Sequence, residues 1–384
     1  MKALRLIWSN PVYISVACVF ASLNILIGTW AIYIPEIKEE LLLSEGELGL
    51  ALFFFALGTL TFIPLSPYLL KRYGPGRATG AGILFYCVAF LFPFLAYDFW
   101  SLAMALFITG AASGFTDIAM NTLVSEKEKQ DDVSIMSAAH GFFSLGGVIG
   151  AGVGGILAGV FKLPFHHMLL VSLLLFVVNF ILMRNYKGVQ GTEQNENDGV
   201  PAFLKPLLGL AIISFIIMAS EGAVVDWSGL YLQEVSSVKS TWLTGMGYTL
   251  FSVTMTVGRF LGDEISSKKG AVRLILGGLM TGIAGYLLIL SADIYTAIAG
   301  FGLLGMGFSV IVPELFRMAG SFDRIPPARG ISFIAGTGYL GFLSGPVALG
   351  FIAEVTGLRY SFVTLLAGAV MAFVVTLLLW ARKK

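Results

Sequence analysis

Long apolar stretches, each about 20 residues in length, follow one another along the whole chain, and this is the length that a helix needs to cross a bilayer. Short polar segments separate them, and some of these breaks are as brief as residues 97–98 and 292–293. The pattern predicts an all-α membrane protein with twelve transmembrane helices, at residues 11–36, 46–70, 77–97, 99–122, 137–161, 166–184, 206–232, 243–264, 271–291, 294–317, 330–353 and 359–381.

A basic segment occurs twice in the same register. Residues 71–77, Lys-Arg-Tyr-Gly-Pro-Gly-Arg, correspond to residues 267–273, Ser-Lys-Lys-Gly-Ala-Val-Arg, and Gly74 and Gly270 are 270 − 74 = 196 positions apart in a chain of 384 residues. Internal repeats of this kind are typical of secondary transporters. We therefore expect two pseudo-symmetric six-helix bundles, at residues 1–184 and 206–384, joined by a flexible cytoplasmic linker at residues 185–205.

Composition supports the membrane assignment. Hydrophobic residues make up 57% of the chain and charged residues 12%, whereas soluble domains carry about 25% charged residues. Most of the 24 lysines and arginines lie on one side of the membrane if both termini are cytoplasmic, and such a bias sets the orientation of membrane proteins. We expect a multi-pass monomer of the cytoplasmic (inner) membrane, in contact with the lipid bilayer and without a nucleic-acid partner.

The sequence contains no soluble catalytic domain, no nucleotide-binding loop and no cluster of metal ligands. Its three histidines include His166 and His167, which we expect in a solvated external turn, because two histidines do not make a metal site. We therefore expect no enzymatic activity, no cofactor and no metal, and a driving force that comes from an ion gradient.

Two six-span halves, a central linker and a basic turn after the second span of each half resemble the major facilitator superfamily. The signature turn of that family contains a glycine and an acidic residue, and in the first half Pro67 and Lys71 stand in their places. The second half retains more of the pattern in residues 258–263, Gly-Arg-Phe-Leu-Gly-Asp.

The fourth predicted span resembles the fucose-permease-like branch of that superfamily. Asp117 and Asn121 are four residues apart and share a helix face. The resemblance implies that an acid at this place takes part in sugar recognition and proton coupling. The aspartate that the branch also uses in its first span has no counterpart in residues 28–35.

Three residues are candidates for proton coupling: Asp117, Glu221 and His140. Charged side chains inside a membrane are costly and are usually functional, and burial favours the neutral form of a carboxyl group. His140 begins the fifth span, within reach of Asp117 or Asn121 if spans 4 and 5 are adjacent, and imidazole titrates near neutral pH. A fixed ion pair or a structural hydrogen bond is the alternative role for each of them.

Polar and aromatic residues near the centre and outer end of the spans are the candidates for substrate binding. Carboxylates accept hydrogen bonds from hydroxyl groups, and aromatic rings stack on sugar faces or cations. The alternative for the aromatic residues is a belt at the membrane interface. The candidates are Asn24, Trp30, Asn121, Asp226, Trp227, Tyr231 and Glu314.

Charged residues at the cytoplasmic ends of the spans are candidates for gating. Glu314 and Arg317 are three residues apart and can pair on one helix face. Together with Arg72, Arg77, Arg259 and Asp263, they are expected to form ion pairs that break when the inner side opens.

The favoured interpretation is a secondary active transporter that moves a small polar, sugar-like solute by alternating access, in symport with protons. The sequence does not distinguish a sodium ion from a proton as the coupling ion. The alternatives are a proton-driven multidrug or metabolite efflux antiporter and a membrane sensor that transports nothing.

Overall fold

The computed structural model describes residues 2–43, 45–154, 157, 160–161, 163–191, 207–237, 241–322 and 325–381, and no strand occurs in these ranges. The predicted linker at 185–205 lies mostly outside them. Eight α-helices precede residue 192 in the described part: α1 (Lys2–Ser9), α2 (Pro11–Glu40), α3 (Glu45–Phe62), α4 (Ser66–Tyr73), α5 (Pro75–Ala89), α6 (Phe99–Asp131), α7 (Met136–Val148) and α8 (Pro164–Leu182).

Seven α-helices follow residue 206 in the described part: α9 (Leu208–Glu234), α10 (Thr241–Lys269), α11 (Ala271–Ile289), α12 (Ile294–Phe308), α13 (Ile311–Gly320), α14 (Pro327–Thr356) and α15 (Leu358–Ala381). Several of them begin at side-chain caps, because the first backbone N–H groups of a helix need acceptors. Asn10 caps α2, Asp98 forms a capping box with Ser101 at α6, and Asp293 caps α12.

The helices account for the twelve predicted spans. Within the described residues, ten helical segments are long and apolar enough to cross a bilayer, and α3 with α4, which meet at an angle of 52°, makes an eleventh. The remaining prediction corresponds to α10, a helix of 29 residues that is more polar because it carries Arg259 and Asp263. Since α10 packs against α7, α9 and α12, it belongs to the same bundle.

The repeated basic turns have the same backbone conformation. Gly74 separates α4 from α5 with φ +79° and ψ 150°, and Gly270 separates α10 from α11 with φ +82° and ψ 151°. A positive φ is strained for residues with a Cβ atom, so glycine suits both turns. We call the end of the bundle that carries these two turns the basic end.

Equivalent pairs of helices approach closely at glycines in both halves of the chain. A Cβ atom at Gly146 of α7 would overlap the Ala21 carbonyl group of α2, and one at Gly341 of α14 would overlap the Phe215 carbonyl group of α9. The first and fifth spans therefore pack as the seventh and eleventh do. This repeat in three dimensions confirms the predicted pseudo-symmetric bundles.

We expect the Gly58→Ala substitution in α3 to destabilise the protein. Its Cβ atom would overlap the Phe107 carbonyl oxygen of α6 and lie 2.9 Å from the Ala111 amide nitrogen. The backbone cannot move away cheaply, and overpacking of this kind costs about 1–3 kcal/mol. The measurement is the thermal unfolding midpoint of the purified protein in detergent.

Gly49→Ala in the same helix is the matched control, because nothing lies within 4 Å of a Cβ atom at this exposed position. Its unfolding midpoint should equal or exceed that of the wild type, since alanine favours helix. Equal midpoints for the two variants would contradict the close approach of α3 and α6.

Candidate functional site

A chain of buried hydrogen bonds joins the fourth and fifth spans. The Asn121 side-chain amide donates to the Asp117 backbone oxygen at 2.8 Å and to its carboxylate Oδ1 at 3.2 Å. The Asn121 Oδ1 lies 3.0 Å from His140 Nε2. Because this oxygen can only accept, His140 donates from Nε2. The predicted proximity of Asp117, Asn121 and His140 is therefore present, and all three side chains are buried.

Asp117 lies next to the boundary between the two halves of the chain. Tyr86 of α5 and Tyr339 of α14 are both close enough to interact electrostatically with its carboxyl group. Tyr339 belongs to the second half, so helices from both halves surround the buried acid. A solute that binds between the halves would meet Asp117 there.

Glu221 and Arg259 form a second polar region within the spans. Glu221 of α9 and Arg259 of α10 lie near enough for their charges to attract each other. The Arg259 guanidinium also donates to the Ser144 hydroxyl of α7. In the described structure, the Glu221 Oε1 and Arg259 Nε atoms are buried without hydrogen-bond partners. This leaves one acceptor and one donor for another molecule.

Arg317 of α13 joins three carboxylates at the basic end. Its Nε and Nη2 atoms donate to the two Glu128 oxygens at 2.9 and 3.0 Å, the bidentate geometry that favours arginine. It also pairs with Asp263 of α10 and with Glu314, one helical turn away. We call Glu128, Asp263, Glu314 and Arg317 the latch. Because Glu128 belongs to α6, the latch connects the two halves.

The start of α7 contributes backbone donors to the latch. The Glu128 Oε1 atom accepts from Ile135 N at 2.6 Å and from Met136 N at 2.7 Å. The Asp263 carboxylate accepts from Ser137 N at 3.0 Å and from Ala138 N at 2.7 Å. The N-terminus of a helix carries partial positive charge, so it stabilises both acids.

Further contacts between the halves occur near the latch. The Ser137 hydroxyl donates to the Arg259 carbonyl oxygen at 2.7 Å, and the Ser332 hydroxyl donates to the Ile63 carbonyl oxygen at 2.6 Å. Gly320 of α13 leaves no room for a Cβ atom beside Ser125 of α6. The basic end of the bundle is therefore closed.

Comparisons with known proteins agree with this architecture. The family model of the Major Facilitator Superfamily matches residues 12–322. The chain belongs to this superfamily. It is 31% identical over 339 residues to an uncharacterized MFS-type transporter of Yersinia pestis, with 87% of each chain covered. It is also 21% identical over 316 residues to the quinolone resistance protein NorA of Staphylococcus aureus, with 79% of each covered.

Among solved structures, the superfamily member FucP in its outward conformation is similar to this chain. The TM-score is 0.79 at 16% sequence identity, with 95% of this chain and 97% of FucP covered. FucP of E. coli is described as a fucose:proton symporter. At this identity the likeness shows a shared fold, which agrees with the predicted resemblance.

Two aromatic residues predicted to contact substrate, Trp30 and Tyr231, are packed inside the bundle. Trp30 is buried, with its ring centroid 5.4 Å from that of Phe94. Tyr231 is fully buried, and its hydroxyl donates to the Ile289 carbonyl oxygen at 2.9 Å. The Tyr231 ring also packs on Phe362, with the ring centroids 4.4 Å apart, so packing contacts occupy both its hydroxyl group and its ring.

The other predicted substrate contacts are dispersed. Asp226 is exposed and Trp227 is half-buried beside Gly350. Asn24 is half-buried and donates to the Phe143 carbonyl oxygen at 2.9 Å. Glu314 lies in the latch and not among these residues.

Two of the predicted gate arginines lie on the surface. Arg72 and Arg77 are exposed, and the described contacts of Arg72 include the ring of its neighbour Tyr73, 5.4 Å away. Among the described residues, neither arginine pairs with the second half. Arg259, Asp263 and Arg317, by contrast, lie where the halves meet.

The expectation that His167 is solvated is wrong. Its side chain is fully buried, its Nδ1 atom lies 2.8 Å from the Tyr33 hydroxyl, and its ring stacks on Phe161. His167 lies in the first turns of α8, and its ring points towards α2. Adjacent histidines in a helix point in different directions, so a location near a loop did not define the exposure of each.

We expect Arg317→Ala to open the basic end. The substitution leaves three buried acids without their shared cation, and removal of one partner of a buried ion pair costs about 3–5 kcal/mol. The measurement is the distance between spin labels at Gln130 and Ser321, exposed residues at the ends of α6 and α13. The label distance should lengthen relative to the same labelled protein with Arg317 intact.

The labelled protein carries serine in place of its two cysteines, Cys18 and Cys87. Arg273→Ala removes an exposed arginine of α11 near the same end and should leave the label distance unchanged. An unchanged distance in the Arg317 variant would show that the latch does not hold this end closed.

Proposed function

We propose that this protein is a secondary active transporter that moves a small polar, sugar-like solute by alternating access, in symport with protons. The observation that carries the proposal is the buried chain of Asp117, Asn121 and His140. Nothing in a packed apolar bundle requires a carboxyl group at this depth, and intramembrane acids commonly mark ion pathways. The resemblance of this span to the fucose-permease-like branch supports the same role for Asp117.

In this proposal the basic end faces the cytoplasm, and both termini lie there. The concentration of lysine and arginine at this end supports the orientation. The closed latch then makes the structure a state that is closed towards the cytoplasm. A single chain supplies the central residues, so a monomer suffices.

Of the predicted substrate contacts, we retain Asn24, Asn121, Asp226 and Trp227 as proposed solute contacts. The proton-coupling candidates Asp117 and Glu221 are proposed to contact the solute as well. Carboxylates would accept hydrogen bonds from solute hydroxyl groups, and the free Arg259 Nε–H would donate to a solute oxygen. Protonation of Asp117 neutralises the centre of the bundle. A neutral centre lowers the cost of moving the halves relative to each other with the solute enclosed.

A second candidate is proton-driven efflux, which the similarity to the quinolone resistance protein NorA supports. The two functions share the fold and the intramembrane acids but differ in the direction in which the solute moves relative to the proton. Solute and proton enter together in the first, and they cross in opposite directions in the second.

The test uses proteoliposomes that contain a pH-sensitive dye and a screen of sugars, sugar acids, amines and lipophilic cations. We expect internal acidification when a transported sugar-like solute is added outside. Asp117→Asn should reduce this signal to the level of empty liposomes, because the amide cannot carry a proton. Binding of the solute, measured by calorimetry, should weaken less than transport does.

Asp132→Asn is the matched control. Asp132 is exposed, just beyond α6, with φ 52°, and asparagine adopts this left-handed conformation readily. Its transport should equal that of the wild type. If only lipophilic cations drive proton release, the protein is an efflux antiporter and the symport proposal is wrong. If solute uptake requires sodium and causes no acidification, the coupling ion is sodium and not the proton.

A further inference from the structure

The latch contains more acids than bases. Three carboxyl groups, those of Glu128, Asp263 and Glu314, lie within pairing distance of the single Arg317 guanidinium. All three acids are at most 8% exposed. Three carboxylates around one guanidinium would leave a net charge of −2 in a dry cluster, and an excess of buried negative charge is costly.

The surrounding helices bring a limited set of other charged groups. The start of α7 adds the partial positive charge of its N-terminus and His140, whose ring lies 5.8 Å from that of Phe316. These helices also carry Arg259 of α10, which lies close to Glu221 of α9, and the exposed Arg273 of α11. Glu126 of α6, Glu264 of α10 and Arg329 of α14 each have an interaction of their own.

The three acids differ in the hydrogen bonds that they accept. Glu128 and Asp263 each accept two backbone N–H groups in addition to Arg317. Such donors stabilise a carboxylate over a carboxylic acid. Glu314 accepts from Arg317 through Oε1, whereas its Oε2 atom is buried without a partner in the described structure. Glu314 is also fully buried, with 0% exposure.

We propose that the closed latch binds one proton at Glu314 and releases it when the basic end opens. The proton reduces the excess of negative charge while Glu128 from the first half is present. Opening withdraws Glu128 and the start of α7 from Arg317 and Asp263. The second half then keeps two acids for one guanidinium, water enters, and Glu314 ionises.

This site is additional to Asp117 and couples the proton to the gate rather than to the solute. It does not depend on which solute the protein carries. With the basic end in the cytoplasm, the proton exchanges with the cytoplasmic side. The gate itself therefore responds to the pH of the cytoplasm.

The experiment measures the closed fraction from the Gln130–Ser321 label distance in lipid nanodiscs, without any solute, from mildly acidic to mildly alkaline pH. The closed state holds one more proton, so its ratio to the open state should fall as pH rises, by up to about tenfold per pH unit. Glu314→Gln keeps the shape of the side chain but cannot titrate. It should remove most of this pH dependence and leave the latch closed across the range.

Arg273→Ala is the matched control. This exposed arginine of α11 lies near the basic end but makes none of the described contacts of the latch, so its removal should keep the slope. A slope in Glu314→Gln equal to that of the wild type would overturn the proposal. Since no solute is present, failure of the sugar-symport proposal would not affect this result.

Infrared spectroscopy provides a second measurement if Glu314→Gln does not fold. In an Asp117→Asn, Glu221→Gln variant with an intact latch, a carboxylic acid C=O band should persist at neutral pH, where exposed acids are ionised. The band should disappear when Arg317→Ala opens the latch. Absence of the band in the closed protein would refute a bound proton at Glu314.

Discussion

The guanidinium of Arg317 makes the ion pairs that join the two halves of this protein at the basic end. It bridges α6 and α13 through Glu128 and at the same time pairs with Asp263, which accepts from the start of α7. A buried ion pair gains Coulomb energy but loses the hydration of both partners, and these two terms nearly cancel. A latch of this kind gives a specific closed geometry without making it irreversible. That property suits a protein whose two ends open in turn.

The interior of each half is built from different contacts. Gly146 and Gly341 let neighbouring helices approach until backbone meets backbone, and such dispersion contacts are lost outright when helices separate. Each half is therefore expected to move as a unit. The described contacts between the halves combine apolar packing, such as Phe142 against Phe260 (ring centroids 5.6 Å apart), with the charged and hydroxyl groups of the latch and of Ser137 and Ser332. Motion is expected at the polar boundary because water can replace hydrogen bonds there but cannot replace close packing.

The sequence was sufficient for the spans, the repeat and the chain of polar residues in spans 4 and 5. Asp117 and Asn121 are four residues apart in an apolar helix, and His140 begins the next span, so short connections bring them together. Glu128 was missed because span 4 was expected to end at residue 122, where the charged segment begins. In the structure α6 continues to Asp131, since a helix can extend beyond the bilayer and keep its backbone bonds. A charged continuation of a span was the signal that could have identified it.

The aromatic residues show a different limit. Trp30 and Tyr231 occupy positions that could face either a solute path or a neighbouring helix, and spacing along one helix does not determine which. The decision depends on partners distant in the chain, namely Phe94 for Trp30 and the Ile289 carbonyl group for Tyr231. A buried tyrosine needs an acceptor for its hydroxyl group, and the end of α11 supplies one. Sequence periodicity contains no information about that partner.

The hydrogen bonds that join Asp117, Asn121 and His140 meet the latch at the first turns of α7. Ile135, Met136, Ser137 and Ala138 present their N–H groups to the two acids of the latch, and His140 lies in the following turn and bonds to Asn121. A displacement of α7 away from α10 would break the contacts of Asp263 with the start of α7. The same displacement would move His140, because these donors and His140 belong to one helix. If Asp117 carries the proposed proton, its occupancy and the closure of the basic end would be linked through the position of a single helix. Such a link needs no long pathway of side chains, since α7 contacts the latch directly and reaches Asp117 through Asn121.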